Sequence, residues 1–220
     1  MKSNLQHEKI VVLAGGSSCE REVSLVSGKA VYDALISRGL DVRLLDPTGD
    51  LIGELKKNQC TLVFIALHGT FGEDGTVQQL LEDNGFAYTG PGVEASRLAF
   101  DKAKTQTLLS REGIPVPDFK ILTEATSYDA GLFGALPLVV KPSQSGSSVG
   151  ISIVREPGDF EKACREALKF SSSILVERYI PGRELTVSIL DDAPLPIVEI
   201  IPNRPFYDYE AKYKYTGTTY

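Results

Sequence analysis

The residues best suited to chemistry lie in a few short stretches. Lys141-Pro-Ser-Gln-Ser-Gly-Ser-Ser-Val-Gly150 joins a lysine to serines at 143, 145, 147 and 148 and glycines at 146 and 150. Glycine permits close backbone approach, serine supplies hydroxyls, and successive N–H groups in such a loop can cradle an anion. The lysine adds a point charge suited to a phosphate. The same composition also suits a Gly/Ser surface hairpin, and it is not a Walker A loop, because the lysine precedes the glycines.

Glu20, in Ser-Ser-Cys-Glu-Arg-Glu-Val-Ser24, precedes a helical pattern. It reads either as a first-turn acid favoured by the helix dipole or as an anionic hook for a substrate ammonium. His68 opens His68-Gly-Thr-Phe-Gly-Glu-Asp-Gly75 and is one of two histidines. A histidine at a strand end beside glycine suits a ligand contact or a satisfied structural role. Glu73 and Asp74 are close together, but their Gly-Glu-Asp-Gly setting suits a turn and helix cap equally well, and they are not read as a catalytic carboxylate pair. Lys102 follows Asp101 on a helix, where an exposed charged pair is the usual explanation unless context overrides it. Glu177-Arg178-Tyr179-Ile180 leaves a strand between two lobes, where backbone can read an adenine edge, and Glu184 just past it suits either a ribose contact or a plain strand charge. The segment 207–213 packs three tyrosines among polar residues, which suits a lid over a ligand better than a solvated tail.

The elements that must position these residues alternate. Apolar runs at 10–14, 42–45 and 61–67 read as strands, and helical spacing appears from 22, over 51–57 and over 76–84. That order predicts an α/β domain with a parallel sheet, whose ligands sit beyond the carboxyl ends of the strands. The loops 15–22 and 68–75 both fall there. Tyr88-Thr-Gly-Pro-Gly92 reads as a boundary, and 93–112 as one helix. Strands at 119–122, 138–140, 151–154 and 174–177 with a helix over 159–171 predict an α+β unit, in which Pro142 ends sheet pairing and 141–150 connects two strands. Residues 184–190 and 195–201 predict an antiparallel pair turned by 191–194. The domains are then 1–96, 97–182 and 183–220.

The chain has 220 residues, 42% hydrophobic and 24% charged, as expected for a soluble globular protein. A formal charge of −6 argues against a general nucleic-acid binder. Three scattered cysteines lack metal-ligand spacing and fit a reduced compartment. No apolar stretch approaches membrane-spanning length and no signal peptide is evident, so the expected setting is cytoplasmic.

Five stretches, taken in order, resemble one family: Gly-Gly-Ser-Ser-Cys-Glu-Arg-Glu-Val-Ser24, the 68–75 loop, Tyr88-Thr-Gly-Pro-Gly92 with Asp101-Lys102, the 141–150 loop, and Phe206-Tyr-Asp-Tyr-Glu-Ala-Lys-Tyr213. They are similar to D-alanine–D-alanine ligases of the ATP-grasp superfamily, from about residue 9 onward. The resemblance implies an N-terminal parallel-sheet (pre-ATP-grasp) domain, an α+β ATP-grasp lobe and the start of a second, incomplete lobe. It implies ATP and D-alanine as partners, magnesium or manganese as cofactor, and a homodimer at full length. ATP would phosphorylate one D-alanine, and a second would attack the acyl phosphate, giving a dipeptide for peptidoglycan synthesis.

Carried over residue by residue, Lys102, Lys141 and Lys212 would hold ATP phosphates. Ser145, Gly146, Ser148 and Val149 would cover the transferring group. Glu177, Arg178, Tyr179 and Ile180 would bind adenine, and Glu184 the ribose. Glu20 would grip the first D-alanine's ammonium, His68 would sit near its carboxylate, and Ser147 with Tyr213 would complete a hydrogen-bonded group with Glu20. Tyr213 also favours the dipeptide over a D-lactate product. Gln79, Ser145, Pro91 and Arg97 depart from the family's usual residues; Ser145 bears on loop contacts, the others on packing. The metal-holding residues of the family follow the lid, so no metal ligand is expected within these residues. The 220 residues alone are expected to be inactive and poorly folded beyond about Gly182. Two alternatives stay open: another ATP-grasp carboxylate–amine ligase, or a non-catalytic nucleotide-binding fragment.

Overall fold

The computed structural model describes residues 5–190, 192–203, 212 and 217–220. It separates into two compact units, Met1–Thr105 and Gln106–Tyr220.

In the first unit β1 (Lys9–Leu13), β2 (Asp41–Leu45), β3 (Leu62–Ile65) and β4 (Ala87–Tyr88) form a parallel sheet in the order β2-β1-β3-β4. Side chains alternate across a strand, so one apolar run can feed two cores. On one face Val11 and Leu13 pack with Leu51, Leu55, Val77 and Leu81, from the helices α2 (Leu51–Lys57) and α3 (Thr76–Asp83). On the other, Ile10 and Val12 meet Val31, Tyr32 and Leu35 of α1 (Arg21–Ile36). Each fully buried Val or Leu contributes about 1.5–3 kcal/mol. Helix α1 lies so close to β1 that a Cβ on Gly28 would stand 2.2 Å from Ala14 Cβ.

Two features differ from the sequence expectation here. Tyr88 belongs to a fourth strand, too short at two residues to leave a periodic pattern. The helix expected over 93–112 is two helices, α4 (Val93–Phe100) and α5 (Lys102–Arg111). Asp101 breaks it: its backbone is extended (φ −90°, ψ 100°) and its carboxylate accepts from the N–H groups of Ala103 and Lys104. That satisfies otherwise orphaned donors at the start of α5.

In the second unit β5 (Phe119–Leu122), β6 (Leu138–Pro142), β7 (Ser152–Val154) and β8 (Ile174–Arg178) form an antiparallel sheet in the order β5-β8-β6-β7. Leu138, Val140, Val154, Ile174 and Val176 pack on Phe160, Ala163, Cys164 and Ala167 of α7 (Phe160–Ala167), beside Phe133 of the short α6 (Ala130–Phe133). Pro142 closes β6 and is itself paired, opposite Ile174. A proline cannot donate to the ladder, and here it stands at the strand's last position.

Beyond Arg178, β9 (Glu184–Thr186) pairs with β12 (Val198–Ile200), and β10 (Ile189–Leu190) with β11 (Ala193–Pro194). The expected antiparallel pair is thus two short ladders, and Ala193 and Pro194 are strand residues rather than turn. Leu190 faces Ala193 across the turn, where Asp192 takes φ +64°, a conformation Asp tolerates better than most side chains. Ile201 and Thr219 then exchange two backbone hydrogen bonds.

Candidate active site

In the first unit the loops after β1 and β3 meet at the carboxyl end of the sheet. Ser18 Oγ donates to the His68 carbonyl at 2.7 Å and accepts from Glu20 N. Arg21 and Asp46 pair at 2.5 Å, and both hold Gly16: Arg21 Nη1 donates to its carbonyl and Asp46 Oδ1 accepts from its N–H. A Cβ on Gly15, at φ +96°, would strike the same pair. The guanidinium holds the Asp46 carboxyl below the usual carboxylate range.

Glu20 occupies the N-cap position of α1, yet its side chain makes no cap hydrogen bond. It is buried, 4% exposed, and reaches the other loop instead: a Cβ on Gly69 would lie 2.6 Å from Glu20 Oε2. His68 stands next along. Its Nε2 is 3.0 Å from Ser27 Oγ and its Nδ1 3.4 Å from Glu73 Oε1, while Glu73 Oε2 accepts from Gly69 N. The Glu73 carboxylate, with a smaller contribution from Glu20, raises the His68 pKa against the opposing effect of burial. Asp74 accepts from Phe71 N and Thr76 N, which is a turn and helix-start role. Glu73 and Asp74 therefore divide their work, one on the histidine and one on the backbone. A cavity of about 440 Å³ opens here, lined by His68, Glu73, Gln78, Thr89, Pro91 and Phe100 among others. Gln79 and Arg97 contact each other at 3.4 Å on the surface.

In the second unit the antiparallel register decides which side chains meet. Val139 faces Glu177 and Lys141 faces Leu175, so Lys141 and Glu177 project diagonally from the sheet face opposite α7. Their ion pair is 2.5 Å long, with side chains 17% and 6% exposed. Lys141 is thus an ion-paired residue near the end of β6. Gln106 of α5 joins them, donating Nε2–H to Glu177 Oε1. Sequence reading missed Gln106, because nothing in its local pattern sets it apart from other polar helix residues.

The loop between β6 and β7 is a tight connection. Val149 N donates to Gly146 O, and Ser147 and Ser148 hold φ +51° and +61°. Non-glycine residues in this region are uncommon and cost of order 1 kcal/mol each, and such strain clusters at functional loops. Ser145, Gly146, Ser147, Ser148 and Val149 are half-buried. At Gly150, φ +72°, a Cβ would meet Phe170 and Pro142 at 2.7 and 2.8 Å. Arg178 and Ile180 are exposed, Tyr179 is half-buried, and Glu184 is exposed at the start of β9. Lys102 is the half-buried first residue of α5, and the ion pair of Asp101 is with Lys104, at 3.6 Å. Lys212 is half-buried; Tyr213 and the remainder of the expected lid 207–213 lie outside the described residues.

Among the described residues no group of three or more His, Cys, Asp or Glu is arranged to hold a metal ion, so none is assigned to magnesium. No helix among them is long and apolar enough to cross a membrane.

Comparison with known proteins agrees with both units. The family model for the D-ala D-ala ligase N-terminus matches residues 48–91, and that for the D-ala D-ala ligase C-terminus matches residues 108–220. The D-alanine–D-alanine ligase of Syntrophotalea carbinolica is 46% identical over 219 residues, covering 100% of this chain and 72% of that protein. That of Citrifermentans bemidjiense is 48% identical, covering 95% and 68%. The crystal structure of the Bacillus anthracis D-alanine–D-alanine ligase superposes with a TM-score of 0.82 at 34% identity, covering 96% of this chain and 70% of that one. The same protein complexed with ATP gives 0.79 at 30% identity, covering 93% and 68%. A parallel-sheet unit followed by an antiparallel unit with a glycine- and serine-rich connection is therefore the ATP-grasp architecture, in its carboxylate–amine ligase form. The chain belongs to the D-alanine–D-alanine ligase family.

Proposed function

We propose that this protein joins two D-alanines at the expense of ATP through an acyl phosphate. The observation that carries the reading is the placement of Glu20 and His68 on adjoining loops. A buried carboxylate and a histidine whose pKa is raised stand on adjoining loops. An amino acid is a zwitterion, and one group of each sign is what its ammonium and carboxylate require. The first unit thus takes the amino-acid end. The second takes the nucleotide end, with Lys141, the 145–149 backbone and Ser148 toward phosphates, the 177–180 strand exit toward adenine and Glu184 toward the ribose. Lys102 and Lys212 belong to the same reading as further cations, and Ser147 and Tyr213 as hydrogen-bonding groups.

In the first step a D-alanine carboxylate oxygen bonds to the γ-phosphorus as the bond to ADP breaks. In the second, the amine of another D-alanine bonds the acyl carbon, loses a proton, and phosphate leaves. Such transfers depend on positioning and on charge stabilisation, which these cations and backbone donors supply. The product is a dipeptide for peptidoglycan synthesis, which places the work in the cytoplasm; a homodimer belongs to the same reading.

Calorimetric titration tests it. The chain is expected to bind ATP, and to bind D-alanine in preference to L-alanine; no ATP binding, or no stereochemical preference, refutes the reading. The 220 residues span about 70% of the length of their relatives. By themselves they are expected to release no ADP in response to D-alanine, and a D-alanine-dependent release would overturn that expectation.

A further inference from the structure

Gln106 shares one oxygen with Lys141. Its Nε2–H reaches Glu177 Oε1 at 2.5 Å, and Lys141 Nζ pairs with that same atom at 2.5 Å. Glu177 is 5% exposed, so its charge rests on these donors rather than on water. The other end of the Gln106 amide is buried with no hydrogen-bond partner for Oε1 among the described residues. An unsatisfied buried carbonyl is costly and is found only where something holds it in place. Here the carboxylate does so: turning the amide over would set its oxygen against Glu177 Oε1, acceptor facing acceptor.

We propose that Gln106 is a positioning residue for Lys141, keeping the Glu177 carboxylate hydrogen-bonded while the lysine turns toward a nucleotide phosphate. The inference rests on the reading of Lys141 as a phosphate-binding residue. Drawing the ammonium away from a buried carboxylate leaves that charge short of a partner, and the cost subtracts from ATP affinity. A neutral amide offsets part of that cost. It holds Glu177 by a charge-assisted hydrogen bond and, being uncharged, neither replaces the lysine nor competes with it for phosphate.

A double-mutant cycle on the 220-residue chain tests this, with ATP titrated into the wild type, Gln106→Met, Glu177→Gln and the double variant. Met keeps the length of the side chain without its donor. Gln106→Met is expected to weaken ATP binding about tenfold in the wild-type background. In the Glu177→Gln background the same change should cost less than about twofold, because no buried charge remains to be satisfied. Equal losses in both backgrounds mean that Gln106 serves packing alone, and overturn the inference. Thermal unfolding of the four proteins reads the same coupling without nucleotide. If Gln106→Met unfolds the chain and the double variant stays folded, the coupling is supported; if both unfold, it is overturned. A wild type that binds no ATP refutes the nucleotide reading and this inference with it, whereas ATP binding with additive variants refutes this inference alone.

Discussion

At residue scale the site is a set of charges whose partners determine what they can do. Glu20 is buried and its side chain does not cap its helix; the proposed function gives its carboxylate to the D-alanine ammonium. A hydrogen bond to a charged group contributes about 1.5–3 kcal/mol, so Glu20→Gln should weaken D-alanine binding about tenfold or more, measured by calorimetry. His68 has a raised pKa, caused first by Glu73. A base whose folded pKa is raised contributes stability that is full below its ordinary value and is lost as pH climbs through the raised one. D-alanine affinity should fall over that same upward window. Glu73→Gln should shift the window downward, as read from the imidazole resonance of His68 in a chain with only two histidines. Glu20 and His68 were legible in the sequence because polar groups at strand ends of a parallel sheet mark ligand sites. The Glu73 contact was not, since a Gly-Glu-Asp-Gly stretch suits a cap equally well.

At element scale, local stereochemistry holds the loops. Asp101 ends one helix and starts the next, a role hidden in the sequence by apolar spacing that runs on through 93–112. Replacing Asp101 by Ala should cost about 0.5–2 kcal/mol, seen as a lower midpoint in thermal or urea unfolding. Gly28→Ala sets two effects against each other. Helix propensity would gain about 1 kcal/mol, but the new methyl would stand 2.2 Å from Ala14 Cβ. Overpacking of that kind costs about 1–3 kcal/mol, so the variant should be net destabilised, by chemical denaturation. The 141–150 loop could be read from composition as either a surface turn or a phosphate cover. Its left-handed serines and the glycine wedged between Phe170 and Pro142 show a constrained connection rather than a slack one.

At the scale of the whole molecule, burial is uneven. The three apolar cores draw their buried residues from 10–81 and 133–176. Past them, Leu185, Val187, Ile189, Leu190, Leu195 and Ile197 are each at least 43% exposed, although β9 to β12 are formed. Strands that bury so little apolar surface open easily. Limited proteolysis of the 220-residue chain should therefore cut first after about residue 180 and leave the region up to β8 resistant; an early cut within β6 or α7 would contradict this ordering. The sequence by itself determined the element types and the candidate residues at strand ends, because periodicity, glycine placement and caps are local properties. Only the tertiary structure decided who meets whom. The antiparallel register set Lys141 against Glu177, the packing of α5 brought Gln106 onto their shared oxygen, and the meeting of two loops put Glu20 beside Gly69 and His68. Pairings between residues dozens of positions apart depend on register and packing, which no local pattern records.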